Sequence, residues 1–274
     1  MAGTPAREAL DSAVVALSAA GVETPRLDAE VLLAHVLGVD RGALVVDRDR
    51  AVEGAAVRRF QDAVRRRAFE REPVAYITGT KGFRHLALHV DPRVLIPRPE
   101  TETLVEAALE ALPEGAKVVD VGTGSGAIAL ALKDERPDLE VTGTDVSEDA
   151  LAVARANRER LGLEVAFEHA DLLAGVARFD AVVSNPPYVE DGAQLAPEIV
   201  RHEPSLALRA GPEGLDVLRV LVPAAAAMGA ELLAVEVGAG QAEAVQELAH
   251  AAGFTASVRR ADLAGIDRVV VAWR

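Results

Sequence analysis

The sequence has no cysteine, and only 3% of its residues are aromatic, with a single Trp among them. Without cysteine the chain can form neither disulfides nor thiolate metal sites, and it has no cysteine nucleophile. No run of 18 apolar residues is free of charge, and the N-terminus lacks the apolar core of a signal peptide. No metal site is predicted, because His85 and His89 have no evident further ligand. We therefore expect a cytoplasmic protein without membrane association or redox chemistry.

What the chain does have is a large apolar fraction and an uneven negative charge. Half of its 274 residues are hydrophobic and the net charge is −14. Residues 1–72 carry 11 Arg against 12 acidic residues, whereas the remainder carries 18 basic against 31 acidic residues. Such a balance repels a polyanion, so direct nucleic-acid binding is not expected. The densest positive cluster is predicted to be a solvated helix face, with a docking surface for an acidic partner as the alternative: Arg58, Arg59, Arg65, Arg66 and Arg67.

Hydrophobic spacing predicts an α/β protein in three parts. Residues 1–72 show steps of three or four between apolar positions, which predicts a small helical domain, with one helix starting at Thr24-Pro25. Residues 73–97 are strand-like and interrupted by glycine, which predicts a linking β-hairpin. In residues 98–274 strands and helices alternate, which predicts a mostly parallel, doubly wound sheet. The last two strands are separated by only eight residues, Arg260 to Asp267, too few for a helical crossover, so they should pair antiparallel.

A glycine-rich turn marks the first candidate site. The strand Lys117–Val121 runs into Gly122-Thr-Gly-Ser-Gly126, and a helix follows. A second strand ends in Asp145, close to the ~20-residue offset at which an acid binds ribose hydroxyls in nucleotide-binding βαβ units. The glycine spacing departs from the dinucleotide fingerprint and suits a ligand without a pyrophosphate. A third strand ends at Asp171-Leu172, where the acid either accepts from an adenine amino group or is simply a solvated strand end.

The loop Asn185-Pro186-Pro187-Tyr188 marks the second candidate site, after the predicted strand Phe179–Ser184. Two prolines fix the backbone and contribute no N–H, so the loop presents carbonyl oxygens beside the Asn185 amide oxygen. Two acceptors can hold both hydrogens of a planar NH2 group, and Tyr188 can supply a flat wall for stacking. The residues thus predict a site for an amide or amino-purine nitrogen.

At this point the chain resembles the class I S-adenosylmethionine-dependent methyltransferases, and among them the release-factor glutamine methyltransferases of the HemK/PrmC type. The resemblance covers nearly the whole chain. It rests on motifs in the family's order: Glu72–Gly79, Val94–Glu102, Asp120–Gly126, Ser184–Tyr188, Glu203–Leu208 and Gly214-Leu215. The chain has Arg84 where family members often have Trp or Gly.

The resemblance implies a Rossmann-like methyltransferase domain that transfers a methyl group from S-adenosylmethionine to the glutamine side chain in the Gly-Gly-Gln loop of class I peptide chain release factors. It implies that residues 1–72 dock this protein substrate. The implied cofactor-binding residues are Gly122, Thr123, Gly124, Ser125, Gly126, Asp145, Val146, Asp171, Leu172 and Asn185. The implied substrate-binding residues are Asn185, Pro186, Pro187 and Tyr188, of which Asn185, Pro186 and Tyr188 are the catalytic ones.

Three other functions compete with this one. An adenine N6-methyltransferase acting on nucleic acid could use the same acceptor loop, but the acidic catalytic part disfavours it. A glutamine methyltransferase acting on a ribosomal protein would share the chemistry, and the N-terminal helical domain argues for the release-factor type. A non-catalytic cofactor-binding protein would not need an intact acceptor loop.

Overall fold

The computed structural model describes residues 3–274, which divide into two compact units. The first unit contains the described residues up to Gly79 together with Leu195–His202, and the second contains Thr80–Gln194 and Glu203–Arg274. The division falls at Gly79 instead of residue 72, so the hairpin belongs to the second unit. Among the described residues, no helix is long and apolar enough to cross a membrane.

The secondary structure alternates between helices and strands throughout the second unit. The helices are α1 (Ala6–Ala19), α2 (Pro25–Leu37), α3 (Arg41–Val46), α4 (Ala55–Arg65), α5 (Val74–Thr78), α6 (Pro99–Ala111), α7 (Ala127–Glu135), α8 (Glu148–Leu161), α9 (Pro197–His202), α10 (Asp216–Ala227) and α11 (Ala242–Ala251). The strands are β1 (Thr4–Pro5), β2 (Ala51–Val52), β3 (Thr80–Phe83), β4 (Leu86–His89), β5 (Lys117–Val121), β6 (Glu140–Asp145), β7 (Ala166–His169), β8 (Ala181–Ser184), β9 (Leu232–Glu236), β10 (Ala256–Ala261) and β11 (Asp267–Trp273).

The first unit is a helical bundle with its own apolar core. Leu17 and Leu32 are fully buried in it, and Val74 and Ile77 of the α5 region pack against the same cluster. This packing explains why the unit extends beyond residue 72. The predicted helix start is confirmed at Pro25, but the Thr24 hydroxyl donates to the Asp28 carboxylate at 2.8 Å and does not cap the helix.

The Arg58–Arg67 cluster is largely committed to contacts within this unit. Arg67 is buried and donates to Asp28 at 2.7 Å and to Glu198 of α9 at 3.1 Å. Three further members also pair internally, namely Arg59 with the Val36 carbonyl, Arg65 with Asp62 and Glu70, and Arg66 with Glu72. Arg66 and Arg67 thus help to hold the unit together, whereas Arg58, Arg59 and Arg65 are exposed on α4, as predicted for a solvated helix face.

The second unit is built on a seven-stranded sheet with the order β10-β11-β9-β8-β5-β6-β7. The five strands from β9 to β7 are parallel, and β10 and β11 are antiparallel, which confirms both sequence predictions. Alternate residues enter two separate apolar clusters, as Val118 and Val119 of β5 do. The sheet is therefore covered on both faces. The strand order reverses between β5 and β8, and at such a switch point the carboxyl ends of parallel strands form a crevice.

The hairpin β3-β4 is held to the second unit by Arg84 in its two-residue turn. Arg84 has a φ of 50°, in the left-handed region, and its backbone N–H donates to Glu102 at 3.1 Å. Its guanidinium donates to both oxygens of Glu135 at 2.8 and 2.7 Å and to Glu106 at 2.6 Å. Arg84 thus joins the hairpin to α6 and α7.

Candidate functional site

The glycine-rich turn after β5 is tied to the neighbouring strand. The backbone N–H groups of Gly122 and Thr123 both donate to the Thr144 carbonyl of β6 at 2.8 Å. Gly122, Gly124 and Gly126 have φ values of 72°, 55° and 81°, which side chains with a Cβ rarely adopt. At Gly122 and Gly124 no atom lies within 4 Å of the position that a Cβ would take. The turn therefore offers bare backbone with free space beside it.

Three of the residues predicted to bind the cofactor, Thr123, Ser125 and Gly126, support the turn through contacts with the protein interior. Thr123 is buried, and its hydroxyl donates at 2.6 Å to Asp120, whose same oxygen accepts from the Ala129 N–H at 3.1 Å. Burial raises the pKa of the Asp120 carboxyl to about 7. The Ser125 carbonyl accepts from the Asn157 amide at 2.9 Å, and a Cβ on Gly126 would lie 3.0 Å from the Phe167 ring. Thr123, Ser125 and Gly126 consequently do not line the cleft described below.

Asp145 lies at the end of β6, where its carboxylate contacts the glycine turn. One oxygen accepts from the Gly124 N–H at 2.9 Å and the other from the Ser147 N–H at 2.9 Å. Burial raises the pKa of Asp145, and these backbone hydrogen bonds oppose the rise. Each carboxylate oxygen has a second acceptor position, so Asp145 can still bind a hydroxyl donor.

The Asp171-Leu172 step forms another wall of the cleft. Leu172 has a φ of 54°, which is uncommon for a residue other than glycine and indicates local backbone strain. Its carbonyl accepts from the Thr144 hydroxyl at 3.2 Å, which holds the strained residue in place. Asp171 beside it is exposed and faces the cleft as an acceptor.

The loop after β8 brings the Asn185 amide to the switch point. The Ser184 hydroxyl donates to the Val121 carbonyl at 2.7 Å, joining the ends of β8 and β5. Asn185 Nδ2 donates to the Thr101 hydroxyl oxygen of α6 at 3.0 Å. Because the NH2 end of the amide is engaged there, its Oδ1 is left as an acceptor at the cleft. Asn185, Pro186 and Pro187 all line the cleft.

Tyr188 occupies a different place from the predicted one. It does not line the cleft, and its hydroxyl donates to the buried Glu236 carboxylate at 3.1 Å. Its carbonyl accepts from Gln241 at 3.1 Å, and a Cβ on Gly214 would overlap this carbonyl. Burial raises the pKa of the Tyr188 phenol, and the adjacent Glu236 raises it further. Tyr188 therefore anchors the loop, and the predicted stacking wall is not seen.

The cleft as a whole lies in the second unit and brings most of the predicted residues together. From the predicted sets, Gly122, Gly124, Asp145, Val146, Asp171, Leu172, Asn185, Pro186 and Pro187 line it. Several further residues line the cleft that have no role predicted from the sequence, namely Arg93, Val94, Leu95, Pro204, Leu206, Ala207 and Arg209. Most of them belong to the motifs Val94–Glu102 and Glu203–Leu208. Glu203 joins these motifs, since it accepts from the Ile96 N–H at 3.1 Å and from Arg98 at 2.5 Å.

The arrangement suits a nucleoside-like ligand next to a planar donor. Carboxylates at Asp145 and Asp171 can accept from hydroxyl and amino groups, and apolar residues such as Leu172 and Val146 cover the flat surfaces between them. No group of three or more His, Asp or Glu residues suited to a metal occurs in the described part of the chain.

Two family models match the chain. The model described as PrmC N-terminal domain matches residues 8–79, and the model described as methyltransferase small domain matches residues 100–243. Among curated proteins, the release factor glutamine methyltransferase of Moorella thermoacetica is 44% identical over 98% of both chains. The protein of the same name from Deinococcus radiodurans is 45% identical over 98% of both chains. The one from Mycolicibacterium smegmatis is 42% identical over 99% of this chain and 98% of its own.

Solved structures resemble the chain in fold. A methyltransferase from Pyrococcus furiosus has a TM-score of 0.52 and 19% identity, and the match covers 68% of this chain and 87% of that one. A 16S rRNA N2 G1207 methyltransferase from T. thermophilus, solved with AdoMet and guanosine, has a TM-score of 0.50 and 22% identity. That match covers 71% of this chain and 49% of the other.

Proposed function

The chain belongs to the release factor glutamine methyltransferases, and we propose that its acceptor is the glutamine of the Gly-Gly-Gln loop in class I peptide chain release factors. It is an S-adenosylmethionine-dependent methyltransferase that methylates the side-chain amide nitrogen of glutamine. The observation that carries the proposed acceptor is the Asn185 amide: Thr101 engages its NH2 end, which leaves its oxygen for the cleft that Asn185 and Pro186 line. We also propose that the enzyme works in the cytoplasm.

The residues of the cleft fit S-adenosylmethionine. Gly122 and Gly124 offer backbone without side chains, which allows close approach of the ligand. Asp145 is placed to accept from the ribose hydroxyls, and Asp171 from the adenine amino group. Val146 and Leu172 supply apolar contact for the adenine ring. In this assignment Thr123, Ser125 and Gly126 shape the turn and do not touch the cofactor.

The acceptor amide is held by oxygen atoms alone. Asn185 Oδ1 and the Pro186 carbonyl take the two N–H groups of the glutamine amide, which turns the face of its nitrogen towards the cleft. Pro186 and Pro187 have no N–H, so at these two positions the backbone of the loop offers the amide acceptors only. This loop therefore selects a planar NH2 group and sets its orientation.

Positioning supplies most of the catalysis in this account. S-adenosylmethionine, when bound, supplies an electrophilic methyl group on a positively charged sulfur. Asn185 and Pro186 hold the poorly nucleophilic amide nitrogen in line, and such orientation is worth up to ~7–11 kcal/mol in favourable systems. Their oxygens also stabilise the positive charge that develops on nitrogen as the new N–C bond forms. No strong base is needed, since the methylated nitrogen is very acidic until it releases its extra proton.

The charge distribution favours a protein acceptor over nucleic acid. The part of the chain after residue 72 has 18 basic and 31 acidic residues, which repels a polyanion at long range. A transfer assay with labelled S-adenosylmethionine should give label on a class I release factor and none on ribosomal protein or DNA. Replacing the target Gln by Glu in the release factor removes the amide and should abolish labelling. Persistent labelling of that variant would refute the proposed acceptor.

We further propose that the first unit docks the release factor. Support comes from the match to the PrmC N-terminal domain and from large apolar side chains exposed on this unit, among them Phe69 at 79%. Aromatic side chains are enriched at protein–protein interfaces, which makes Phe69 the first residue to test. The Arg58–Arg67 cluster is a weaker candidate, because most of its members are engaged internally.

Phe69→Asp tests this docking role. It should raise KM for the intact release factor while leaving turnover of a short Gly-Gly-Gln peptide unchanged. Leu263→Asp, which changes a fully exposed apolar residue of the second unit, is the matched control and should alter neither. Equal losses on protein and peptide in the Phe69 variant would exclude a docking role for this residue.

A further inference from the structure

The carboxylate of Glu236 is a fully buried ionisable group that the proposed mechanism does not use. Glu236 ends β9, is 0% exposed, and lies one strand away from the end of β8 that leads to Asn185. Its oxygen Oε2 has no hydrogen-bond partner within 3.5 Å among the described residues. A buried carboxylate is costly, so its presence here calls for a reason other than stability.

Glu236 is connected to the acceptor loop by two routes. Tyr188, three residues after Asn185, donates its hydroxyl to Glu236 Oε1 at 3.1 Å. Thr101 of α6 interacts with the same carboxylate through its hydroxyl, and that hydroxyl oxygen accepts from Asn185 Nδ2 at 3.0 Å. The carboxylate thus accepts from Tyr188, which anchors the loop, and is influenced by the hydroxyl of Thr101, which holds the Asn185 amide.

The direction of these hydrogen bonds follows from the charge of the carboxylate. An ionised carboxylate can only accept, so the Tyr188 hydroxyl donates to it, and the neighbouring Thr101 hydroxyl can turn only its proton towards it. Once the Thr101 proton points to Glu236, its oxygen faces Asn185 as an acceptor. Asn185 must then offer its NH2 end to Thr101 and its oxygen to the cleft. Protonated Glu236 can donate, and the Asn185 amide loses this constraint.

We infer that Glu236 is a positioning residue for methyl transfer: through Thr101 it fixes the Asn185 amide with the oxygen towards the acceptor, and through Tyr188 it holds the loop. This inference rests on the proposed function, in which Asn185 Oδ1 binds the glutamine amide. Glu236 touches neither substrate nor cofactor in this assignment.

The surroundings of Glu236 place its ionisation near neutral pH. Burial raises its pKa to about 7, and nearby Glu100 on α6 raises it as well. Arg268 on β11 lowers it, but Arg268 is itself paired with Asp262 at 3.1 Å. Tyr188 stays neutral in this range because its own pKa is raised. The ionised form that orients Asn185 should therefore be gained as the pH rises through about 7.

Kinetics of Glu236→Gln give the first test. The variant should lower kcat by up to ~10²-fold, as small misplacements of positioning groups do, with little change in S-adenosylmethionine affinity. In the wild type kcat should fall below about pH 7, whereas the variant should lack this acid limb. Glu231→Gln, which changes the exposed residue immediately before the start of β9, is the matched control and should behave as wild type. An unchanged acid limb in Glu236→Gln would overturn the inference.

Thr101 provides a second test that does not alter Glu236. Thr101→Val preserves the shape of the side chain but removes the hydroxyl between Glu236 and Asn185, and it should reproduce the loss of kcat and of the acid limb. Thr101→Ser restores the hydroxyl and should restore both. This pair carries the test if Glu236→Gln does not fold, and a Thr101→Val enzyme with the wild-type pH profile would contradict the inference.

An NMR titration of the free protein separates this inference from the proposed function. The Asn185 side-chain NH2 signal, identified by its loss in Asn185→Asp, should shift with a midpoint near pH 7 in the wild type and in Glu231→Gln, but not in Glu236→Gln. If the shift occurs although no release factor is methylated, the proposed function fails, but the coupling between Glu236 and the Asn185 amide is supported. If methylation occurs but the Asn185 signal is insensitive to Glu236, the inference fails alone.

Discussion

Replacing Glu236 by Gln should change the free energy of unfolding in a pH-dependent way. Relative to the wild type, the variant should be more stable at alkaline pH than it is at acidic pH. Folding raises the pKa of this carboxyl from an ordinary 4.5 to about 7 because the group is buried. Ionising this buried carboxyl destabilises the folded state. The destabilisation is absent below about pH 4.5, grows as the pH rises to about 7, and is constant at higher pH. Since one pH unit of pKa difference corresponds to about 1.4 kcal/mol, the full contribution is about 3 kcal/mol.

The magnitude can be measured as a difference between two pH values. At pH 5.5 about 1 kcal/mol of the contribution is present, so the stability difference between variant and wild type should change by about 2 kcal/mol between pH 5.5 and 8.5. Any gain or loss of hydrogen bonds by Gln is independent of pH and cancels in this comparison. The direction of the change is also defined: the variant becomes more stable relative to the wild type as the pH rises.

Urea unfolding followed by the fluorescence of Trp273 is the suitable assay. Trp273 is the single Trp of the chain and lies on β11, which pairs with β9, so it reports on the sheet that carries Glu236. Glu231→Gln should show no such dependence on pH. If the stability difference between Glu236→Gln and wild type is the same at both pH values, Glu236 does not have a raised pKa and the reasoning is wrong.

Three further substitutions have defined outcomes. Asn185→Ala should reduce kcat by ~10²–10³ and leave the affinity for S-adenosylmethionine nearly intact, because it removes an acceptor for the amide and not the glycine turn; wild-type turnover would exclude Asn185 from the mechanism. Asp145→Ala should weaken S-adenosylhomocysteine binding in calorimetry, because it removes the ribose acceptor and the hydrogen bond to Gly124; an unchanged Kd would limit Asp145 to a structural role. Arg84→Met leaves the half-buried Glu135 without its cation and should lower the free energy of unfolding by ~1–3 kcal/mol in urea titration; a change below ~0.5 kcal/mol would show that the hairpin is held by other contacts.

The parallel sheet could be predicted because its central strands, β5 and β8, are short, largely apolar runs with clear ends. β5 matches the predicted Lys117–Val121, and β8 lies within the predicted Phe179–Ser184 and ends at the same residue. Both strands run into residues that stop a strand, a glycine turn and an Asn-Pro pair. Position at the carboxyl end of a parallel strand was then enough to place Asp145 and Asn185 in one cleft.

What the sequence could not show is which partner each polar side chain chooses. Asn185 pairs with Thr101, and Tyr188 with Glu236, across separations of 84 and 48 residues. Spacing rules describe neighbours within one helix or strand and carry no information over such distances. Tyr188 was accordingly assigned to the cleft, although burial of its hydroxyl against Glu236 directs it into the protein.

The boundaries of the first unit also depend on contacts between residues that are far apart in the sequence, so spacing could not predict them. Its arginines look like a charged surface in sequence, yet Arg67 and Arg71 bind Glu198, which follows 131 and 127 residues later. These ion pairs bring α9 into the first unit. The hairpin is predicted to begin at residue 73, but Val74 and Ile77 pack against the helical core and belong to the short helix α5 (Val74–Thr78), which Gly79 caps.

The most direct test of the central claim is to locate the transferred methyl group. The enzyme is incubated with a class I release factor and isotopically labelled S-adenosylmethionine, and the digested release factor is mapped by tandem mass spectrometry. We expect one added methyl group on the side-chain nitrogen of the glutamine in the Gly-Gly-Gln loop, and its loss when Asn185 is replaced by Ala. A methyl group on any other residue, or an unmodified glutamine with folded enzyme that binds the cofactor, would contradict it.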